Sequence, residues 1–122
     1  MHPLFPVMAG GAIGAGLRYL TGTALSARFG AALPWGTLTV NLVGGLVMGL
    51  LAGFILRGQA GETLRLFAGV GILGGFTTFS AFSLESWQMI ERGHIGLASG
   101  YALASVVGSI AALAAGYWLV RA

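Results

Sequence analysis

Two phenylalanines three positions apart, Phe79 and Phe82, stand in an otherwise small and hydroxylated run, Gly74-Gly-Phe-Thr-Thr-Phe-Ser-Ala-Phe-Ser83. That spacing places both rings on one side of a helix, with Ser80 and Ser83 forming a polar line beside them. A phenyl ring is electropositive at its edge, so rings presented edge-on attract an anion without any fixed charge. Elsewhere, Asn41 is a lone amide in an apolar stretch, flanked by Thr37 and Thr39, and Tyr101, Ser105 and Ser109 recur at every fourth position. These groups are weak donors and ring edges, with no lysine among them. Their chemistry is to replace water around a small anion rather than to make or break bonds. Each also has a plainer explanation: Phe as a core or lipid contact, Ser and Thr bonded back to the i−4 carbonyl, Asn as a tie between helices. Polar groups inside apolar segments nevertheless tend to mark pathways.

The elements that carry these residues are set by composition. Of 122 residues 57% are apolar and 7% charged, whereas a soluble domain carries about a quarter charged residues. Six arginines and three glutamates, with no Lys and no Asp, cannot coat a globule of this size, so most of the surface faces lipid. The net charge of +3 is scattered singly between apolar runs, which excludes nucleic acid as a partner. With no cysteine there is no disulfide framework and no thiol chemistry. His2 and His94 lie near segment ends, and no acid–base pair is within reach in sequence, so an enzyme is not expected.

Four stretches reach the roughly 20 apolar residues that a bilayer span requires: residues 4–27, 35–56, 64–90 and 95–120. Backbone polar groups cannot stay open in lipid, and the dyad pattern of a barrel is missing, so the stretches are expected to be helices. Short connections at residues 30–34, 57–62 and 91–94 join them into one domain over residues 1–122. The first stretch is not read as a cleaved signal peptide, because its leading end has no Lys or Arg and Arg18 falls late within it. Small residues recur at every fourth position: Gly10, Gly14 and Gly22; Gly45, Gly49 and Gly53; Gly100, Ala104, Gly108 and Ala112. Such stripes let helix backbones approach closely.

With four spans, Arg57, Arg65 and Arg121 fall on one side of the membrane and Arg18, Arg28 and Arg92 on the other. The positive-inside bias is therefore close to zero. A chain without a preferred direction is expected to insert both ways and to pair as an antiparallel homodimer about an axis in the membrane plane.

Gly74, Gly75, Thr77 and Thr78 weaken the third helix near mid-span and predict a break there. Irregular backbone at this depth survives only when buried in protein or lining a cavity, and its freed carbonyls suit a small hard cation such as Na⁺, shared by two copies at the axis. Glu85 is the one acid well inside a span, and an arginine is its expected partner.

Three segments, Gly10-Gly-Ala-Ile-Gly-Ala-Gly-Leu-Arg-Tyr19, Pro34-Trp-Gly-Thr-Leu-Thr-Val-Asn-Leu-Val-Gly44 and residues 74–83, resemble the signatures of the Fluc (CrcB) fluoride channels. The resemblance extends over essentially the whole chain. It implies a passive, fluoride-selective channel of two antiparallel copies in the prokaryotic plasma (inner) membrane, through which fluoride leaves the cell down its gradient. It further implies that Gly74 and Thr77 give backbone carbonyls to a central structural Na⁺. The fluoride path would run along Asn41, Phe79, Phe82, Ser80, Tyr101, Ser105 and Ser109, with Arg18 and Glu85 as structural or vestibule charges. Ala81 departs from the family, where Thr or Ser is frequent, so no hydroxyl contact is carried over there. A small multidrug exporter is the nearest rival, but its proton coupling needs an acid in the first helix, where this chain has Arg18. A non-transporting scaffold accounts for the glycines but not for a break flanked by aromatic and amide groups.

Overall fold

The structure, a computed structural model, describes residues 2–58 and 61–121, and the described residues form helices and turns without strands. Helix α1 spans Leu4–Phe29, α2 Trp35–Leu56, and α6 Ile95–Arg121. The third passage is composite. A short turn of helix, α3 (Glu62–Leu64), runs into a π-helical segment (Arg65–Leu73) and then α4 (Gly74–Phe76); after a break comes α5 (Ser80–Glu91). The expected connection at residues 57–62 includes Gln59 and Ala60, which lie outside the described residues, as do Met1 and Ala122 at the ends of the expected domain.

Helix ends follow local chemistry. Gly30 and Gly93 take positive φ (81° and 82°), a conformation that side chains disfavour, and so release the chain from α1 and α5. The N–H of Gly30 returns to the Ser26 carbonyl at 2.8 Å, which closes the last turn of α1.

Among the described residues, three helical passages are long and apolar enough to cross a membrane: Trp35–Leu56, Glu62–Glu91 taken through its break, and Ile95–Arg121. The first stretch, expected as a fourth span, is a 26-residue helix but is not among these three. Pro6, its glycines and Arg18 lower its apolar character. Burial is inverted relative to a soluble domain: among the described residues only Val40, Leu73, Met89, Ala98 and Tyr101 are buried hydrophobics, while Phe79, Ile110 and Leu119 are among many large apolar side chains left outside. Lipid or a second protein surface must cover them.

Two tight helix pairs hold the chain together. A Cβ at Gly10 or Gly14 would collide with the backbone of Phe67, Gly71 and Ile72, so α1 lies directly against the π-helical segment. Likewise, a Cβ at Gly49 would strike the Leu113 carbonyl, and one at Gly116 the Leu46 carbonyl, which brings α2 and α6 into backbone contact. The stripe expected on the fourth helix meets α2 toward its C-terminal end. Gly100 has nothing within 4 Å and Ala104 is exposed, whereas a Cβ at Gly108 would meet Leu42, and Gly116, one step past Ala112 on the same line, is buried against α2. The every-fourth rule found the line but not which end of it meets a neighbour. Gly49→Val is accordingly expected to destabilise the protein by about 1–3 kcal/mol, the usual cost of forcing bulk into a packed contact. Its thermal midpoint in detergent should fall clearly below the wild-type value; an unchanged midpoint would mean α2 and α6 are not in backbone contact.

Candidate functional site

The third helix stops after Phe76 because Thr77 turns extended (φ −82°, ψ 159°), and α5 starts only at Ser80. Several backbone groups in the break have specific partners. The Leu73 carbonyl accepts from the Thr77 N–H at 3.0 Å and from Thr77 Oγ1 at 2.8 Å. The Gly75 carbonyl accepts from Arg18 Nε of α1 at 3.1 Å. Asn41 of α2 grips Thr78 twice: its Oδ1 accepts the Thr78 N–H at 2.8 Å, and its Nδ2 donates to the Thr78 carbonyl at 3.0 Å. Thr78 Oγ1 then accepts the Ala81 N–H at 3.1 Å and caps the start of α5.

This accounting leaves the carbonyls of Gly74, Phe76 and Thr77 without a partner among the described residues. The Thr78 N–H that an unbroken helix would give to Gly74 goes to Asn41 instead, and no hydrogen bond reaches the Thr77 carbonyl among the described residues. Gly74 is exposed on the surface of the single chain. Neutral carbonyl oxygens suit a hard cation, but so few of them fall short of a full shell of six or so ligands.

Beside the break runs a groove of about 390 Å³ between α2, α5 and α6, lined among others by Asn41, Thr77, Phe79, Phe82, Ser105 and Ser109. Phe79 and Phe82 lie with ring centroids 5.6 Å apart and planes tilted by 49°, and Phe82 in turn lies 5.2 Å from Tyr101. Phe79 is 76% exposed. Ser105 is only 5% exposed, yet its Oγ has no hydrogen-bond partner. Buried hydroxyls are normally satisfied, so the covered Ser105 Oγ is a polar group without a partner on a residue that lines the groove.

Two of the sequence-predicted path residues stand apart from this groove's lining. Tyr101 packs on Phe82, but its hydroxyl donates to Glu85 Oε1 at 3.0 Å. Ser80 sits at the exposed start of α5, its Oγ 3.3 Å from Thr78 Oγ1. Glu85 does not pair with an arginine, contrary to the sequence expectation. Thr37 Oγ1 donates to its Oε2 at 2.9 Å and Tyr101 to its other oxygen, so two hydroxyls from α2 and α6 satisfy the carboxylate, while Arg18 is engaged with the break. Asn41 also differs from a simple anion donor. Its Oδ1 and one N–H are committed to Thr78, which leaves one N–H for the groove. Thr78 reads in the sequence only as a helix-weakening residue, although a hydroxyl three residues before Ala81, following two glycines, is also a capping signal.

An apolar exterior and helical passages of membrane length define a multi-pass membrane protein, with a mainly apolar groove beside the break into which a few hydroxyl, amide and aromatic residues are set. The family model described as "CrcB-like protein, Camphor Resistance (CrcB)" matches residues 5–117. A protein of Sphingopyxis alaskensis named fluoride-specific ion channel FluC is 59% identical over 122 residues, covering 99% of this chain and 97% of that protein. Namesakes in Novosphingobium aromaticivorans and Mesorhizobium japonicum are 52% and 49% identical, with at least 93% of each chain covered. The chain belongs to the CrcB family.

Proposed function

We propose that this protein is a fluoride-specific ion channel, a passive conductor rather than an enzyme, which lets fluoride leave the cell down its gradient. The observation that carries this reading is the groove wall, which Asn41, Phe79, Phe82 and Ser105, whose hydroxyl has no partner, line together. Several weak donors in series let an anion enter and leave, which conduction requires, whereas a buried lysine would hold it. The names of its relatives support the same anion. Ser80, Ser109 and Tyr101 extend the path: Ser109 is on the groove wall, and Tyr101 contributes its ring to the aromatic row.

The functional unit is a homodimer of oppositely inserted copies, with α1 as a fourth span. The exposure of Phe79 and the three-to-three arginine split support this reading. Within it, the open carbonyls of Gly74 and Thr77 from both copies hold a structural Na⁺. When bound, the ion ties the two breaks together. The residues of this chain keep the two carbonyls free and hold the break in shape.

Fluoride efflux from liposomes holding the purified protein, followed with a fluoride electrode, tests the activity. Rapid efflux of fluoride with little chloride is expected, and equal rates for the two ions, or none, would overturn the reading. Insertion is tested separately. Tags on the C-terminus are expected on both sides of the membrane in comparable amounts, and a few lysines added at one end should force a single orientation. A fixed orientation in the unmodified chain would remove the dual-topology claim.

A further inference from the structure

Arg18 is a half-buried cation inside an apolar helix, where a charge is costly and marks a function or a partner. Its partner is not an acid: among the described residues the one ion pair is Arg65–Glu62, at 2.6 Å. Arg18 instead donates from Nε to the Gly75 carbonyl at 3.1 Å, across 57 positions of sequence. The guanidinium also lines a cavity of about 220 Å³ with Thr37 and Thr78, and this polar lining relieves part of the cost of burying it.

The carbonyls around the break show a consistent pattern. Leu73, Gly75 and Thr78 each accept a hydrogen bond from a side chain, while Gly74, Phe76 and Thr77 accept none among the described residues. Arg18 thus occupies the Gly75 carbonyl and places a permanent positive charge one residue from Gly74. A neutral donor set next to a fixed cation penalises a bound ion in proportion to that ion's charge. Divalent ions are normally held by carboxylates, which supply the opposing charge that is missing here.

We propose that Arg18 is a positioning residue for the cation site that the Gly74 and Thr77 carbonyls form, and that its charge restricts the site to monovalent ions. The inference rests on the Na⁺ reading above. Coulomb energy scales with ion charge, so a penalty of roughly tenfold in affinity for Na⁺ becomes roughly a hundredfold for Ca²⁺.

The test is the thermal midpoint of the purified protein in detergent, titrated with NaCl or CaCl₂ at constant ionic strength with an organic cation as the balance. Wild type is expected to be stabilised by Na⁺ saturably and not by Ca²⁺. Arg18→Gln keeps a donor for the Gly75 carbonyl without the charge; its Na⁺ midpoint concentration should fall about tenfold and a Ca²⁺ response should appear. Arg18→Lys keeps the charge and should remain indifferent to Ca²⁺. Wild-type stabilisation by Ca²⁺ at the same concentrations as Na⁺ would overturn the valence claim even if no variant folds. Arg18→Gln titrations that superimpose on wild type would overturn it as well. A wild-type protein unresponsive to either ion would instead remove the Na⁺ reading, and this one with it.

Discussion

Phe79→Ile or Phe82→Ile is expected to lower fluoride flux by about a hundredfold, equivalent to about 2.7 kcal/mol on the slowest passage, while the dimer still assembles. Isoleucine keeps the apolar bulk of the wall but has no electropositive edge to offer an anion. The two rings and Tyr101 form a row with spacings of 5.6 and 5.2 Å, so losing either Phe interrupts a continuous run of ring edges beside the Ser105 hydroxyl. Packing alone predicts something different. Phe79 is 76% exposed on the single chain, so its loss should barely change the stability of the fold. Flux from liposomes and the dimer fraction by cross-linking separate the two explanations. Wild-type flux in both variants would mean that the rings are a contact surface and the path lies elsewhere.

Asn41→Asp is expected to abolish flux and also to destabilise the fold. The carboxylate can still accept the Thr78 N–H, but it cannot donate to the Thr78 carbonyl, now held by Nδ2 at 3.0 Å. A half-buried carbonyl left without its donor costs about 1–3 kcal/mol, which should appear as a lower thermal midpoint. The new negative charge on the groove wall then repels fluoride directly. Asn41→Ala removes the same grip without adding charge, so comparing the variants divides the effect. If Asn41→Ala retains wild-type stability, the double hydrogen bond to Thr78 is not what fixes the break.

Much of this arrangement was legible in the chain. Long apolar runs have little alternative to helix in lipid, and glycine, proline and charge mark where they stop, so expected and observed helix limits agree within two residues. The break was legible because Gly74, Gly75, Thr77 and Thr78 disfavour helix in combination. What the sequence could not give is the choice of partner where several were chemically equal. Glu85 has arginines and hydroxyls within the span's reach, and only the crossing of α2 and α6 decides for Thr37 and Tyr101. Asn41 reads as a free amide because the backbone group it grips, at Thr78, lies 37 positions away and becomes available only once the helix has broken. The fourth-helix stripe was legible only in part for a similar reason. Periodicity shows that small residues share a face, whereas the tilt of α6 against α2 decides that Gly116 rather than Gly100 is in contact.

The double grip of Asn41 on Thr78 also bears on the order in which the chain assembles. The two side chains that reach into the break from other helices, Arg18 and Asn41, both precede it, so they have left the ribosome before the third passage enters the membrane. An opened turn in hydrocarbon leaves backbone groups uncompensated unless partners are already waiting. The hairpin of α1 and α2 therefore serves as a template on which the third passage opens. Among the described residues, none that follows the break supplies a hydrogen bond from another helix that holds it open. A fragment ending after the third passage contains everything needed to form the break within one copy, whereas a fragment starting at residue 57 lacks both side chains that hold it.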